Sequence, residues 1–349
     1  VILREIIFPS IRDTYEDLSK VIRETDLLIT HSISYAGHIF AERNHLPWIS
    51  VVLSPIVLLS AYDMPALQGF PLMDFLKKLD PAANRLLIKF IKKITLRWCR
   101  PALQLRESLG LSQGKHPIFE NQYSAQLVLA MFSNLLARCQ PDWPSSAHIT
   151  GYSFFDATED ENYLPYNLER FLKTGEPPVV FALGSVAVYT AGDFYHKAVK
   201  AAYMLNRRAV LVVGRDTDNL PEEELSPDIM TVQYAPYSKL FPQAAAIVHQ
   251  GGIGTMGQAM KAGKPMLVVP FAHDQPDNAH RLERLGISRT LPLKRCTPEL
   301  MARQLKELIS DVKSIERAGK VAQRVRSEDG VETACNTIET AFMLNKKRI

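Results

Sequence analysis

The sequence predicts an α/β fold with two domains built on parallel sheets, and three observations support this prediction. Short apolar segments alternate with segments of helical periodicity, which is typical of parallel sheets covered by helices. The length of 349 residues is too great for one ordinary hydrophobic core. Residues 151–178 are rich in Asp, Glu, Asn, Pro and aromatic residues without sustained periodicity, which indicates a linker between the domains.

The elements of each domain are predicted from apolar runs and the turn residues beside them. In the first domain, residues 1–155, we expect strands at residues 26–30, 49–53 and 127–132, and a helix at 35–43. In the second domain, residues 156–330, we expect strands at residues 179–183, 209–213, 231–234, 244–249 and 265–270. Its helices are expected at residues 194–205, 255–262 and 298–312, and a last helix lies within residues 331–349.

Composition and charge narrow the class of protein. The formal net charge of +4 is small for this length and there is no long Lys/Arg tract, so we expect no nucleic-acid partner. The cysteines lie far apart without a C-x-x-C pair, which argues against a disulfide framework and a zinc site. The most apolar window, residues 46–61, is too short for a membrane span, and we expect a cytoplasmic protein.

The most informative motif is His249-Gln-Gly-Gly-Ile-Gly-Thr255, between two apolar runs. A glycine-rich turn between a buried strand and a helix forms part of a βαβ unit. Glycines allow a ligand to approach the backbone closely, and the first N–H groups of a helix attract negative charge. The motif therefore predicts a phosphate or diphosphate site. Its backbone is supplied by Gly251, Gly252, Ile253, Gly254 and Thr255.

Further polar and aromatic residues follow other strands of the second domain. Ser185 comes after the strand at 179–183 and could donate to a phosphate. Tyr234 and Tyr237 leave another strand, where one ring could stack on a base or both could pack beneath a loop. Asp274 and Gln275 follow the strand at 265–270, where polar groups can bind ligand hydroxyls.

Two other motifs suggest different chemistry. Residues 252–257 spell G-x-G-x-x-G, the fingerprint of NAD(P)-dependent oxidoreductases, but that unit usually opens its domain and this one lies deep within the second half. Asp216-Thr-Asp218 spells the D-x-D of metal-dependent glycosyl transfer. We interpret it as a loop, and we expect no metal site and no bound cofactor.

Four segments of the second domain form one gapped pattern. They are Tyr-Ala-Pro-Tyr at 234–237, the glycine motif at 249–255, Ala-Gly-Lys-Pro at 262–265 and Val-Pro-Phe-Ala-His-Asp-Gln at 269–275. Together they resemble the donor-binding signature of family 1 glycosyltransferases, which have the GT-B fold of two Rossmann-like domains facing across a cleft. The resemblance is strongest to bacterial members that glycosylate macrolides, sterols or lipids. Residues 140–144, 150–151 and 26–41 also resemble the amino-terminal domain of that group.

The resemblance implies a role for each matching residue. Tyr234 would stack on the base of a UDP- or dTDP-sugar, His249 and the glycine turn would meet its diphosphate, and Ser185 would reach the phosphates from the other side. Asp274 and Gln275 would hold sugar hydroxyls. Many relatives carry a glutamate for the ribose where this chain has Gly257, so the choice between UDP and dTDP stays open. The last helix would pack back toward the acceptor domain.

The resemblance also implies an inverting transfer, without metal, to a hydroxyl of a lipophilic acceptor. The family's catalytic histidine would precede Val1, and the position of its partner acid falls at His31. His31 is therefore our candidate base, and a donor-binding protein without catalysis is the alternative. We predict that apolar residues of the first domain line the acceptor pocket, namely Tyr35, Tyr62, Met73, Phe75 and Leu76.

Residues 84–100 combine apolar residues at helical spacing with many cations. Leu87, Ile91, Ile94 and Trp98 are predicted to form the apolar face of a helix. The pattern fits a helix packed on the protein with a solvated cationic face, and it also fits weak contact with an anionic membrane surface.

Overall fold

The computed structural model describes residues 2–22, 24–66, 80–155, 163–220 and 225–346. These residues form two compact units. The amino-terminal unit holds the described residues up to Pro65, those between 80 and Gly151, and those from Gly330 onward. The carboxyl-terminal unit holds Ala66 and the described residues from Tyr152 to Asp329. The chain therefore returns to its first unit after completing the second.

The amino-terminal unit contains a parallel sheet whose described strands follow each other in chain order. Its strands are β1 (Leu28–His31), β2 (Trp48–Val52), β3 (Val128–Ala130) and β4 (Ala147–Ile149). Strands β1 to β3 correspond to the three predicted strands with shifted ends. Strand β4 was not predicted, because it has three residues and none of them is buried.

The carboxyl-terminal unit contains a six-stranded parallel sheet with the order β10-β9-β8-β5-β6-β7. Its strands are β5 (Val179–Ala182), β6 (Ala209–Val212), β7 (Ile229–Val232), β8 (Ala246–His249), β9 (Met266–Val268) and β10 (Ser288–Thr290). The chain adds strands on one side from β5 to β7 and then crosses to the other side of β5. The topological switch point, where open α/β sheets bind ligands, therefore lies between β5 and β8.

Helices cover both sheets, and their bounds refine the predictions. They are α1 (Ile11–Val21), α2 (Tyr35–Arg43), α3 (Pro81–Thr95), α4 (Arg100–Ser108), α5 (Tyr166–Lys173), α6 (Phe194–Leu205), α7 (Ile253–Ala262), α8 (Gln275–Arg284), α9 (Pro298–Ser310), α10 (Val312–Arg326) and α11 (Gly330–Lys346). Shorter helical turns lie at Leu3–Ile7, Pro55–Val57, Leu96–Cys99, Pro117–Asn121, Gly184–Ala187, Val188–Thr190, Thr217–Asn219, Tyr237–Leu240, Phe241–Gln243 and Leu293–Arg295. Among the described residues, no helix has the length and hydropathy to cross a membrane.

Several predicted boundaries were wrong for local reasons. The predicted linker contains helix α5, which has only eight residues and therefore shows barely two turns of helical periodicity in the sequence. The predicted helix at 298–312 ends at Ser310, because the Asp311 side chain accepts a hydrogen bond from the Ser314 N–H (3.2 Å) and starts α10. The strand predicted at 231–234 lies at Ile229–Val232, so Tyr234 is in the loop that follows it.

The core of the amino-terminal unit contains one residue that we had predicted to line the acceptor pocket. Tyr35 is 3% exposed, and its ring centroid lies 4.9 Å from that of Phe8. Tyr35 is therefore a core residue, and that prediction was wrong. Tyr62 is exposed, whereas Met73, Phe75 and Leu76 lie outside the described residues. On the sheet of this unit, Ala334, Ile338 and Ala341 of α11 pack with Ile49, Leu127 and Leu129.

Candidate functional site

Most predicted site residues of the second domain lie at the carboxyl ends of β5, β8 and β9, and Tyr234 and Tyr237 follow β7. Ala182 at the end of β5 pairs with His249 at the end of β8, so the two strands stop at the same level. The Gly184 turn follows β5, and the glycine motif follows β8. Both therefore border the switch point of the six-stranded sheet, where parallel strands direct their loops toward a ligand.

Gly251 makes the sharp turn between β8 and α7. Its φ of +91° is unfavourable for any residue with a Cβ, and a Cβ there would lie 3.0 Å from Val268 Cγ1 and 3.1 Å from the Gln275 carbonyl oxygen. The Asn278 side-chain amide donates a hydrogen bond to the Gly251 carbonyl oxygen (2.9 Å). The turn is thus held between β9 and the start of α8.

The first turn of α7 presents free donors next to open space. Gly252 is its N-cap and has no side chain to cap the helix, so the N–H groups of residues 253–255 have no acceptor within the helix. A Cβ on Gly254 would have no heavy atom within 4 Å. This combination of free N–H groups, helix dipole and empty space suits a phosphate group.

His249 lies fully buried at the end of β8, and its ring is neutral. Its Nδ1 accepts a hydrogen bond from the Gly251 N–H (3.0 Å), which places the proton of the neutral ring on Nε2. Burial lowers the pKa of His249 to about 3. Its Nε2 and the Oε1 of the buried Gln250 have no hydrogen-bond partner among the described residues. His249 can therefore offer a neutral N–H donor, but not a positive charge.

The turn after β5 packs against the glycine motif. Gly184 has a φ of +69°, and a Cβ there would lie 2.6 Å from Gln250 Nε2 and 2.8 Å from Thr255 Oγ1. Ser185, the next residue, is exposed. The close approach of the backbone at Gly184 thus brings the first turn after β5 directly onto the first turn of α7.

The two tyrosines of the loop after β7 have different environments. The Tyr237 ring stacks on Phe241 with centroids 4.3 Å apart and planes inclined by 13°. Burial raises the pKa of Tyr237 to about 12, and a hydrogen bond with the Gly184 backbone has a smaller opposing effect. Tyr234 is 54% exposed and borders a hollow of about 500 Å³. Tyr237 therefore packs beneath the loop, whereas Tyr234 is the more exposed of the two rings.

The loop between β9 and α8 holds Asp274 and Gln275 by local hydrogen bonds. Gln275 Oε1 accepts from the N–H groups of Phe271 (2.8 Å) and Ala272 (3.0 Å), so its amide oxygen is used within the loop. The Asn278 amide donates to Asp274 Oδ2 (2.8 Å) as well as to Gly251. Asn278 is fully buried and links both predicted site segments. Asn278 was not among the predicted site residues, although its spacing of four residues from Asp274 is a usable signal.

Gly257, where the resemblance leads us to expect a ribose-binding glutamate, faces the protein interior. A Cβ at this position would lie 2.9 to 3.2 Å from ring atoms of Tyr152, which is itself 5% exposed. A longer side chain would therefore meet Tyr152 first. The site thus departs from the family resemblance at this position.

The D-x-D motif forms a local turn. Asp216 Oδ1 accepts a hydrogen bond from the Asp218 N–H (3.1 Å), and Thr217–Asn219 is a single helical turn. Within the part of the chain that the structure describes, no group of three or more His, Cys, Asp or Glu side chains could hold a metal ion. All four cysteines are free thiols.

His31, our candidate base, lies at the end of β1 and is exposed. Its Nδ1 accepts a long hydrogen bond from the Ile33 N–H (3.4 Å), and partial desolvation lowers its pKa. The ring is neutral at pH 7, but this hydrogen bond favours the tautomer with the proton on Nε2. Base catalysis through Nε2 would need the other tautomer.

Comparisons with known proteins give one consistent result. Residues 205–338 match the family described as erythromycin biosynthesis protein CIII-like, C-terminal domain. The chain is 35% identical over 298 residues to O-mycaminosyltylonolide 6-deoxyallosyltransferase of Streptomyces fradiae, covering 84% of this chain and 68% of that protein. It is 31% identical to the sterol 3-beta-glucosyltransferase of Pichia angusta, covering 91% of this chain but only 26% of that longer protein.

The fold agrees with solved glycosyltransferase structures. The glycosyltransferase VinC in complex with dTDP superposes with a TM-score of 0.64 at 18% identity, covering 98% of this chain and 80% of that one. The spinosyn rhamnosyltransferase SpnG gives a TM-score of 0.65 at 17% identity, covering 96% and 81%. The predicted family and fold are thereby confirmed. The chain belongs to the family 1 glycosyltransferases, hexosyltransferases with the GT-B fold.

Proposed function

We propose that the protein transfers a sugar from a nucleoside diphosphate donor to a hydroxyl group of a lipophilic acceptor. The observation that carries this proposal is the first turn of α7, where free N–H groups meet open space at Gly254 beside the switch point. The relatives support it, because their names describe sugar transfer to a tylonolide and to sterols, and the VinC structure contains dTDP.

In this proposal the diphosphate leaving group is stabilised by groups that are already in position. Charge develops on the diphosphate as the glycosidic bond breaks, and the N–H groups of residues 253–255 and the α7 dipole meet that charge without rearrangement. His249 would add a neutral N–H donor. The acceptor oxygen would attack the anomeric carbon from the face opposite the diphosphate and lose its proton to a base, while the bond from that carbon to the diphosphate breaks. A single displacement of this kind inverts the configuration.

We propose UDP or dTDP as the nucleotide. Residue 257 is a glycine, so α7 offers no carboxylate to a ribose 2′-hydroxyl at this position, and Tyr152 occupies the space beside it. Without that contact, α7 has no group here that distinguishes ribose from deoxyribose. Tyr234, exposed beside its hollow, would stack on the base of either nucleotide.

Calorimetry with UDP, dTDP and GDP tests the site through Gly254→Ala. The added methyl group meets no protein atom, so the fold should be kept, but it fills the space assigned to the diphosphate. We expect nucleotide affinity to fall by at least about tenfold, equivalent to about 1.4 kcal/mol. Gly319→Ala is the matched control, since Gly319 lies in α10 with equally open space and should leave affinity unchanged.

Donor binding without transfer is the second candidate, and the hydrogen bond at His31 Nδ1 favours it. Product formation separates the two candidates. UDP-glucose and dTDP-rhamnose would be tested with phenolic, sterol and hydroxy-fatty acceptors. A chain that binds nucleotide tightly but forms no product would show the binding role. A chain that binds none of the nucleotides would contradict the site itself.

A further inference from the structure

One helical segment of the amino-terminal unit exposes a regular pattern of cations and apolar side chains. Between residues 85 and 98 a basic residue is followed directly by an apolar one, and the pair repeats every four residues. The pairs are Arg85-Leu86, Lys89-Phe90, Lys93-Ile94 and Arg97-Trp98. We call this surface the basic-apolar face. It lies on α3 and on the helical turn Leu96–Cys99 that continues it.

The spacing arranges the pairs as two neighbouring ridges. Residues four apart lie above one another on a helix, so the cations form one ridge and the apolar side chains form another beside it. The apolar ridge is well exposed, at 68% for Leu86, 60% for Phe90, 47% for Ile94 and 36% for Trp98. Four large apolar side chains in one exposed row are unusual for a surface facing only water.

The opposite face of α3 already anchors it to the protein. Asn84 is buried and donates a hydrogen bond to the Ala61 carbonyl oxygen (3.0 Å), and Thr95 and Cys99 are buried. Leu87 and Ile91 are half-buried on this inner side. Of the predicted apolar face, Leu87 and Ile91 lie on the inner side of the helix. Ile94 and Trp98 belong instead to the exposed ridge, so that part of the prediction was wrong. Within the basic-apolar face, Arg85 donates a hydrogen bond to the Tyr62 hydroxyl and its Cζ lies 5.2 Å from the centroid of that ring, whereas Leu86 and Phe90 stay exposed.

A shallow hollow on this face combines both kinds of contact. Its volume is about 260 Å³, and it is lined by Phe90, Lys93, Ile94 and Arg97. Among the described residues, no carboxylate lies within ion-pair distance of Lys89, Lys93 or Arg97. A phosphate between the cations with a hydrocarbon chain against the apolar pair would complement this lining.

We propose that the basic-apolar face docks the protein on an anionic lipid surface. The cations complement the negative charge of the headgroups, and the apolar ridge enters the boundary between headgroups and acyl chains, as amphipathic interfacial helices do. The complementarity of charge favours lipid over a second copy of this chain, whose own face would bring like charges together. The inference does not depend on the proposed transfer reaction.

Co-sedimentation with vesicles tests the docking surface. The full chain is mixed with phosphatidylcholine vesicles that contain or lack phosphatidylglycerol, at low and at physiological ionic strength. We expect binding to the anionic vesicles that weakens with salt, and much weaker binding to the neutral ones. Quenching of fluorescence by brominated acyl chains should be seen, and it should be lost in Trp98→Phe.

Paired variants assign the binding to this face. Lys89→Gln/Lys93→Gln should weaken the partition onto anionic vesicles by roughly thirtyfold, from the usual contribution of a cation near such a surface. Leu86→Ser/Phe90→Ser should weaken it by at least about tenfold. The matched controls lie on α10, where Lys313→Gln/Lys320→Gln and Val312→Ser/Ile315→Ser change exposed residues of the same types and should have little effect.

Several results would overturn the proposal. These are no binding to anionic vesicles at low salt, equal binding to neutral vesicles, or equal losses in the α10 controls. Self-association that depends on Phe90 and Ile94 in the absence of vesicle binding would assign the face to a second copy instead. Nucleotide affinity, measured in parallel, should be unchanged in all these variants, so failure here would leave the proposed function standing.

Discussion

Each sheet of the protein ends one strand in a histidine that makes the same local hydrogen bond. His31 at the end of β1 and His249 at the end of β8 each accept, at Nδ1, the N–H of the residue two positions later. The distances are 3.4 Å at His31 and 3.0 Å at His249. Beyond this bond the two positions differ, since His31 is exposed and His249 is completely buried.

The difference shows that the histidine alone does not make a ligand site. His249 is followed by a glycine turn at the switch point of its sheet, with a helix N-terminus and open space at Gly254. His31 is followed by Ser32 and Ile33, in a sheet whose described strands run in chain order without a reversal. The proposed diphosphate site thus depends on sheet topology and on glycine, and the predictions below test that comparison.

The largest expected effect is that of Gly251→Ala. An alanine would have to adopt a φ of +91° with its Cβ 3.1 Å from a backbone oxygen, which neither a rotamer change nor a small shift relieves. We expect the free energy of unfolding to fall by about 3 kcal/mol, measured by urea denaturation. Nucleotide binding should be lost with it.

The corresponding change at the other strand end is Ile33→Ala. Ile33 is 50% exposed, so its truncation should alter the free energy of unfolding by no more than about 0.5 kcal/mol. If both substitutions had equal effects, the special geometry that we assign to the glycine turn would be wrong.

The next largest effect is a loss of about 2 kcal/mol in the free energy of unfolding as the pH falls. Burial lowers the pKa of His249 to about 3 from 6.5, so between these values the unfolded chain binds a proton that the folded chain does not. Stability is therefore lost as pH falls below 6.5, by about 2 kcal/mol between pH 7 and pH 5. His249→Asn should remove that loss from the carboxyl-terminal unit.

Two other histidines calibrate this measurement. Burial also lowers the pKa of His38, in α2, to about 3, so His38→Asn should remove a similar pH dependence from the amino-terminal unit. His31→Asn should remove less, because its ring is exposed and only partly desolvated. If His31→Asn removed a pH dependence of about 2 kcal/mol and His249→Asn removed none, our assignment of His249 as the buried ring and His31 as the exposed one would be wrong.

The third prediction separates loop support from ligand contact at Gln275. In Gln275→Glu a carboxylate oxygen can still accept from the N–H groups of Phe271 and Ala272, so stability should change by less than about 0.5 kcal/mol. The donor Nε2 is lost and a negative charge is added. We expect calorimetric affinity for UDP-glucose to fall about tenfold more than that for UDP, since Gln275 is proposed to hold the sugar. Equal losses of affinity for UDP-glucose and for UDP would contradict a contact between Gln275 and the sugar.

Sequence reasoning identified the strands and turns that form the candidate site but not the hydrogen bonds within it. The glycine motif and strongly apolar strands such as β8 are local sequence patterns. Their positions could therefore be predicted from the sequence. The roles of Asn278 and Tyr152 depend on which distant segments meet, and their spacing along the chain carries little of that information. Tyr234 and Tyr237 are identical residues three positions apart, and it is their packing in the folded chain, such as the stacking of Tyr237 on Phe241, that distinguishes them.

The smallest expected effect is that of His31→Ala. Its ring is exposed and bound only by one long hydrogen bond, so stability should change by no more than about 0.5 kcal/mol and nucleotide affinity should be unchanged. Because that bond leaves the proton on Nε2, we expect kcat/KM for product formation to fall by less than about tenfold. A general base typically contributes a factor of about 10² to 10⁴ to the rate. A fall of that size in kcat/KM, with a pH profile that loses its acidic limb, would instead establish His31 as the base.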